Sequence, residues 1–292
     1  MLAQRNNFIL SGAFHIVSIA FVFDTLLFLG LELLALSLFW KRKEQHLLRG
    51  VGFVLFGIYW LSRIPHFLGS GDTVNAVFSL LGCPFYIYLG LHAYRAPRCK
   101  DERALHFMAV TTFAAAFPYF LIAQMPKVSG ALIYLVAWNT CLLLRVFGFY
   151  YVPGDVQNAD VWFGVSSEPI HVPIIPSSIS LIFACTALQS MLIFVGAICG
   201  STSSRKSRVK ALLILASLVY ILNLVRNACL IYLVDVKNYP FELAHNWIGK
   251  VGSLIALLFL AYLLFRLLPD IEEKISMVLD LFSISAARGN RQ

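Results

Sequence analysis

The chain alternates long apolar blocks with short polar links, and the links carry most of the charge. Phe14–Trp40 is a long apolar run interrupted by Asp24 and Glu32, and KRKEQHLLR follows it. Leu47–Leu68 carries Arg63 and His66 toward its far end, and the next link, GSGDTVN, holds neither Lys nor Arg. Val74–Tyr94 ends in RAPRCKDER, and Ala104–Ala123 ends in QMPKVSG. Ala131–Tyr151 includes Asn139, Thr140 and Arg145. Each block approaches the roughly 20 residues that a helix needs to cross a bilayer. The pattern predicts a bundle of seven or eight transmembrane helices, an all-α polytopic membrane protein.

The second half is organised around residues 178–250. Two apolar runs, SSISLIFACTALQSMLIFVGAICG and ALLILASLVYILNLVRNACLIYLV, flank the basic loop STSSRKSRVK. They predict a transmembrane hairpin whose cationic turn faces the cytoplasm. Its other ends, and the start of WIGKVGSLIALLFLAYLLF, then face outward. On this reading Cys185 lies a few residues inside its helix, about 8 Å below the outer edge, and Arg226 lies about 12 Å below. His245 falls where the last span begins. One thiol, one guanidinium and one imidazole thus share an outer layer.

The same charge rule places 41–49 and 95–103 inside and 69–73 and 125–129 outside, which puts the N-terminus outside. A fully crossing 131–151 conflicts with the orientation of the second half. Either that run is re-entrant or interfacial, giving seven crossings, or one cationic loop of the first half faces outward, giving eight. Segment 152–177 is the longest polar connection. Its runs VWFGV and HVPII between turn residues predict a small β-hairpin or ordered external loop ahead of the helix that carries Cys185. In the tail, Ile271, Ile275, Val278 and Phe282 recur at helical spacing, which predicts a cytoplasmic interfacial helix within 269–292.

Composition narrows the class. A mean hydropathy of +0.78, with 59% hydrophobic and 13% charged residues, excludes an ordinary soluble domain. All 292 residues are expected to form a single integral membrane domain, with a functional core at about 140–265. The net charge of +8 sits in loops, where it orients the chain and attracts anionic lipid; it is not a nucleic-acid footprint. The six cysteines show no CxxC spacing, so no zinc site or disulfide framework is indicated. The start, MLAQRNNFILSGAFH, lacks a cationic n-region and reads as a retained first span. Neither a metal nor an organic cofactor is expected, since nucleotide and zincin motifs are absent.

Three residues carry the candidate chemistry. Most cysteines in a transmembrane helix are small apolar fillers. Cys185 differs by following an external loop, and Cys229, three residues after Arg226, is its competitor. Arg226 sits inside an apolar run, where a permanent cation is costly and marks a site or an internal ion pair, for instance with Asp235, Asp24 or Glu32. Asn223 and Asn227 flank it and are placed to orient its side chain. Beside a thiol, Arg226 would favour thiolate and stabilise an oxyanion. His245 can act as general acid or base, or simply mark an interface. Arg63 and His66 form a second, less specific pair.

Ala184-Cys185-Thr186-Ala187-x-x-Ser190, Asn223-x-x-Arg226-Asn227 and Ala244-His245-Asn246, in that order, resemble the exosortase/archaeosortase family over roughly 140–265. The resemblance implies a cysteine transpeptidase of the cell membrane. In it Cys185 would be the nucleophile, Arg226 the thiolate or oxyanion partner and His245 the proton-transfer residue. It further implies substrates that are secreted surface or S-layer proteins with a C-terminal sorting helix, cleaved near a Pro-Gly-Phe-like motif. A membrane phospholipid would accept the acyl group. Two departures stand out. Ala187 occupies a place where glycine is often expected, and Arg266, the available late arginine, falls near the cytoplasmic end. Two other classes fit the charges alone: a small-solute or ion transporter, and a non-enzymatic assembly subunit.

Overall fold

The structure, a computed structural model, describes residues 22–40, 44–95, 99–157, 160–165 and 175–282. Residues 14–21 of the first apolar run, the HVPI stretch and the tail beyond Phe282 lie outside the described residues. Among the described residues, seven helices are long and apolar enough to cross a membrane, and an eighth apolar helix is shorter. The chain forms two compact units. Residues up to Phe113 and from Met277 onward make the first, and Ala114–Ser276 make the second.

In the first unit, α1 (Val22–Phe39), α2 (Gln45–Gly69), α3 (Thr73–Tyr94) and the start of α4 (Cys99–Ala123) follow the apolar runs closely. Small residues let the backbones touch. A Cβ on Gly90 of α3 would meet Val54 Cγ2 at 2.6 Å and the Gly50 carbonyl of α2 at 2.7 Å. Such close approach is how helices associate where lipid removes the hydrophobic drive. Asp72 caps α3 by accepting from the Asn75 amide at 3.1 Å. Arg49 is buried, 1% exposed, and is tied to Glu102 at 2.7 Å. Gln45 also donates to that carboxylate. The Phe282 ring stacks on Phe85 and Tyr88 of α3.

The second unit holds α5 (Pro126–Val146), strands β1 (Tyr151–Gln157), β2 (Asp160–Val165) and β3 (Ile175–Leu181), then α6 (Leu188–Cys199), α7 (Arg205–Ile231) and α8 (Lys250–Leu267). α5 starts five residues earlier than the apolar run suggests. At 21 residues it has spanning length, which is not what a re-entrant segment requires. It lies parallel to α7, because Asn139 donates to the Tyr220 hydroxyl at 2.8 Å and Phe149 packs on Tyr232. Asn139 and Tyr220 lie about 20 Å along their respective helices. The start of α5 is therefore level with the start of α7. That puts 125–129 at the basic-loop end, where charge counting had assigned it to the opposite side.

The strand segment exceeds the expected hairpin. VWFGV is indeed a strand, β2, but it pairs antiparallel on both sides, with β1 and with β3. Val161, Phe163, Ile179 and Leu181 turn one apolar face onto Ile133, Val136 and Ala137 of α5. At the basic-loop end, α9 (Pro269–Phe282) begins with Asp270, which accepts from the Ser201 hydroxyl at 2.9 Å and the Thr202 amide at 2.7 Å. Ser203 adds a third donor, and Lys274 donates to the Gly200 carbonyl at 2.7 Å. The start of α9 is thus latched to the α6–α7 loop.

Candidate functional site

The hairpin containing Cys185 is asymmetric. Its first run is not one helix, because Ile175–Leu181 belongs to β3 and α6 keeps only 12 residues. That is about 18 Å of helix, well short of the roughly 30 Å apolar core of a bilayer. Cys185 therefore does not lie inside the helix, as hydropathy implied. It ends a 3-10 turn, Phe183–Cys185, three residues ahead of α6. Its level is set instead by α7. Asn223 and Asn227 donate to the Cys185 carbonyl at 2.9 and 3.3 Å. These residues lie four and eight positions before Ile231, about 6–12 Å below the α-helical end of α7.

Local hydrogen bonds close the turn. The Cys185 amide donates to the Ile182 carbonyl at 2.9 Å, and the Thr186 amide and hydroxyl both donate to Phe183. Ala187, the helix cap, has φ +65, a left-handed conformation that turns the chain sharply into α6. Glycine adopts that conformation without steric penalty, which explains why glycine is expected there. Cys185 is half-buried, and Tyr119 of α4 borders its turn. Tyr119 also stacks on Phe183, with ring centroids 5.1 Å apart. Sequence reasoning missed Tyr119, since a tyrosine near the end of an apolar span carries no distinguishing pattern.

Arg226 faces a different neighbour from the one expected. Among the described residues of the second unit it forms no ion pair, so the pairing with Asp235 is not seen. Its Nε is buried without a hydrogen-bond partner and lies 3.7 Å from where a Cβ on Gly249 would stand. Asn223 and Asn227 serve the Cys185 carbonyl rather than the guanidinium. Asp235, in the π-helical turn Tyr232–Val236, instead hydrogen-bonds Tyr151 at the start of β1. Burial, with the Asp235 charge next in weight, pushes the Tyr151 phenol up to about 12.

His245 lies in a second π-helical stretch, Leu243–Gly249, which leads into α8. π-helical turns recur at functional sites. Its ring stacks on Phe241, with centroids 5.1 Å apart and the two planes nearly parallel. The structure thus brings the Cys185 backbone and the helix turn bearing Arg226 together. It brings Arg226 to the segment of His245, four residues further along at Gly249.

Between these elements lies a cavity of about 310 Å³. Ala187 and Ser190 of α6, Asn223 and Arg226 of α7, and Gly249 and Ser253 contribute to its wall. The rest of the lining is mainly aliphatic, so Arg226 is a lone cation in an apolar chamber. Cys229, exposed, also reaches this wall and stays a competitor for Cys185. Arg63 and His66 belong to the first unit, where both lie against Phe67.

Comparison with known proteins gives the arrangement a context. The chain is 24% identical over 258 residues to archaeosortase A of Haloferax volcanii, covering 77% of this chain and 82% of that protein. It is 23% identical over 260 residues to archaeosortase A of Natronomonas pharaonis, covering 77% and 78% respectively. No solved structure matches the chain. The family model of the transmembrane exosortases matches residues 25–265, nearly the whole apolar core, and the chain belongs to that family.

Proposed function

We propose that this protein is a cysteine transpeptidase of the cell membrane that works on secreted surface proteins. It cleaves their C-terminal sorting signal and transfers the shortened protein to a membrane lipid. The observation that carries this reading is the broken hairpin. A cysteine stands on a hydrogen-bonded turn ahead of a short helix, next to the α7 turn that presents a half-buried arginine to an apolar cavity. The names of the two archaeosortase relatives support the same reaction class.

In this mechanism the Cys185 thiolate attacks the carbonyl carbon before the sorting helix, near a Pro-Gly-Phe-like motif. Arg226, always protonated, stabilises thiolate and oxyanion in a medium where few other charges compete. The C–N bond breaks as His245 delivers a proton to the departing amine, leaving a thioester on Cys185. A nucleophilic oxygen of a lipid headgroup then attacks the thioester. Its proton passes to His245, and the C–S bond breaks to release the lipidated protein and restore the Cys185 thiolate beside a protonated His245. Aliphatic walls disfavour water as the competing nucleophile. The reactive turn lies at the sheet-bearing end of α7, opposite the basic loop, and we assign that end to the extracellular half of the membrane.

Cells expressing a tagged surface protein with a C-terminal sorting helix test this reading. With Cys185→Ala or Cys185→Ser, full-length substrate should accumulate and lipid labelling should stop. Unchanged processing would point to a transporter or an assembly subunit.

A further inference from the structure

The proposed reaction needs its nucleophile held still, and the residues that hold it are outside the triad. A buried peptide carbonyl requires a hydrogen-bond partner. That of Cys185 has two, both amide nitrogens from one face of α7, four residues apart. Asn227 is 3% exposed, so its side-chain donor has no solvent alternative. Asn223 is half-buried and also lines the cavity. The same α7 turn carries Arg226 between them. Holding the Cys185 peptide against this turn therefore fixes the distance between the turn bearing the thiol and the turn bearing the guanidinium.

We propose that Asn223 and Asn227 are positioning residues that clamp the Cys185 carbonyl and so register the nucleophile against Arg226. This rests on the transpeptidase reading above and deepens it. Two features follow from a clamp made of two donors on one acceptor. Either amide alone still satisfies the carbonyl, so losing both should cost more than the product of the single losses. Asparagine to aspartate keeps the shape but places a carboxylate oxygen against a carbonyl oxygen. Aspartate should therefore be worse than alanine, although it is the closer mimic. A protonated aspartic acid regains a donor. Its deficit should therefore shrink as pH falls.

The experiment measures cleavage of the tagged surface protein in isolated membranes that contain the full-length enzyme, between about pH 5 and 8. Enzyme amount and fold are normalised by size-exclusion chromatography in detergent. N223A and N227A should each slow cleavage roughly tenfold, the scale of one hydrogen bond. The double variant should lose well over a hundredfold, beyond the product of the two. N227D should be slower than N227A at pH 8 and approach it toward pH 5. If N227D fails to fold, N223D, at the half-buried site, carries the same comparison. A double variant that merely multiplies the single losses, or aspartate variants milder than alanine at every pH, would overturn the clamp. Cys185→Ala separates the two claims. If it still cleaves, the transpeptidase reading falls and takes the clamp with it. If it is inactive while the asparagine variants cleave at the wild-type rate, only the clamp falls.

Discussion

Ala187 gives the sharpest thermodynamic prediction, because its backbone is in a conformation its side chain resists. At φ +65 the alanine Cβ crowds the following carbonyl, at a cost of roughly 1–2 kcal/mol. Replacing it with glycine removes that strain. Glycine also gains freedom in the unfolded chain, which gives back about 0.4–1 kcal/mol. The net expectation for Ala187→Gly is a stabilisation of about 0.5–1 kcal/mol. Ala187→Val goes the other way. The residue is 8% exposed, and a β-branched side chain is a steric outlier in this region, so a loss of about 2 kcal/mol or more is expected. The assay is thermal unfolding of the purified full-length protein in detergent, read by intrinsic fluorescence of its five tryptophans. Ala187→Gly should raise the midpoint by about 1–3 °C, and Ala187→Val should lower it by several degrees. If Ala187→Gly lowered the midpoint, or valine were tolerated, the left-handed turn would not be the conformation joining Cys185 to α6.

Further consequences are independent of the reaction. Glu102→Gln strands the buried Arg49 guanidinium without its counter-ion, and breaking such a pair by removing one partner costs about 3–5 kcal/mol; chemical denaturation should register it. Gly90→Ala drives a methyl into the Gly50 carbonyl and Val54, so the α2–α3 contact should loosen and expression of folded protein should fall. Burial alone would push the Asp270 carboxyl up, but donors from Ser203, Thr202 and Ser201 outweigh it and hold it below its ordinary 3.8. A lowered folded-state pKa means the latch contributes fully above about pH 4 and is lost as pH falls through the folded value. Hydrogen exchange of the α6–α7 loop should accordingly stay slow at neutral pH in the wild type and speed up in Asp270→Asn.

Much of this arrangement was legible in the chain, and what was not has a physical cause. Spans such as α2, α3 and α8 announce themselves because lipid demands an unbroken apolar helix, and nothing else satisfies a backbone there. The run SSISLIFACTALQSMLIFVGAICG misleads for the same reason. Summed hydropathy does not distinguish a buried strand from a helix. The signal that separates them was present at Ile179-Ser180-Leu181, whose period-two alternation buries Ile179 and Leu181 against α5. Charge counting set 125–129 and the basic loop on opposite sides, and a lateral contact such as Asn139 with Tyr220, which loop charge does not report, sets them at one end. Cys185, Arg226 and His245 were singled out as chemistry-bearing types. The partners of Asn223 and Asn227 were not readable, because a side-chain amide near an arginine gives no hint that it serves a carbonyl 38 residues away.

The account turns on Cys185 becoming acylated. The most direct measurement is mass spectrometry of the full-length enzyme trapped during processing of a surface protein that carries its C-terminal sorting helix. A thioester to the cleaved substrate on the peptide containing Cys185, absent in Cys185→Ala, is the predicted result. An adduct on Cys229, which shares the cavity wall, or processing that proceeds with Cys185 unmodified, would contradict it.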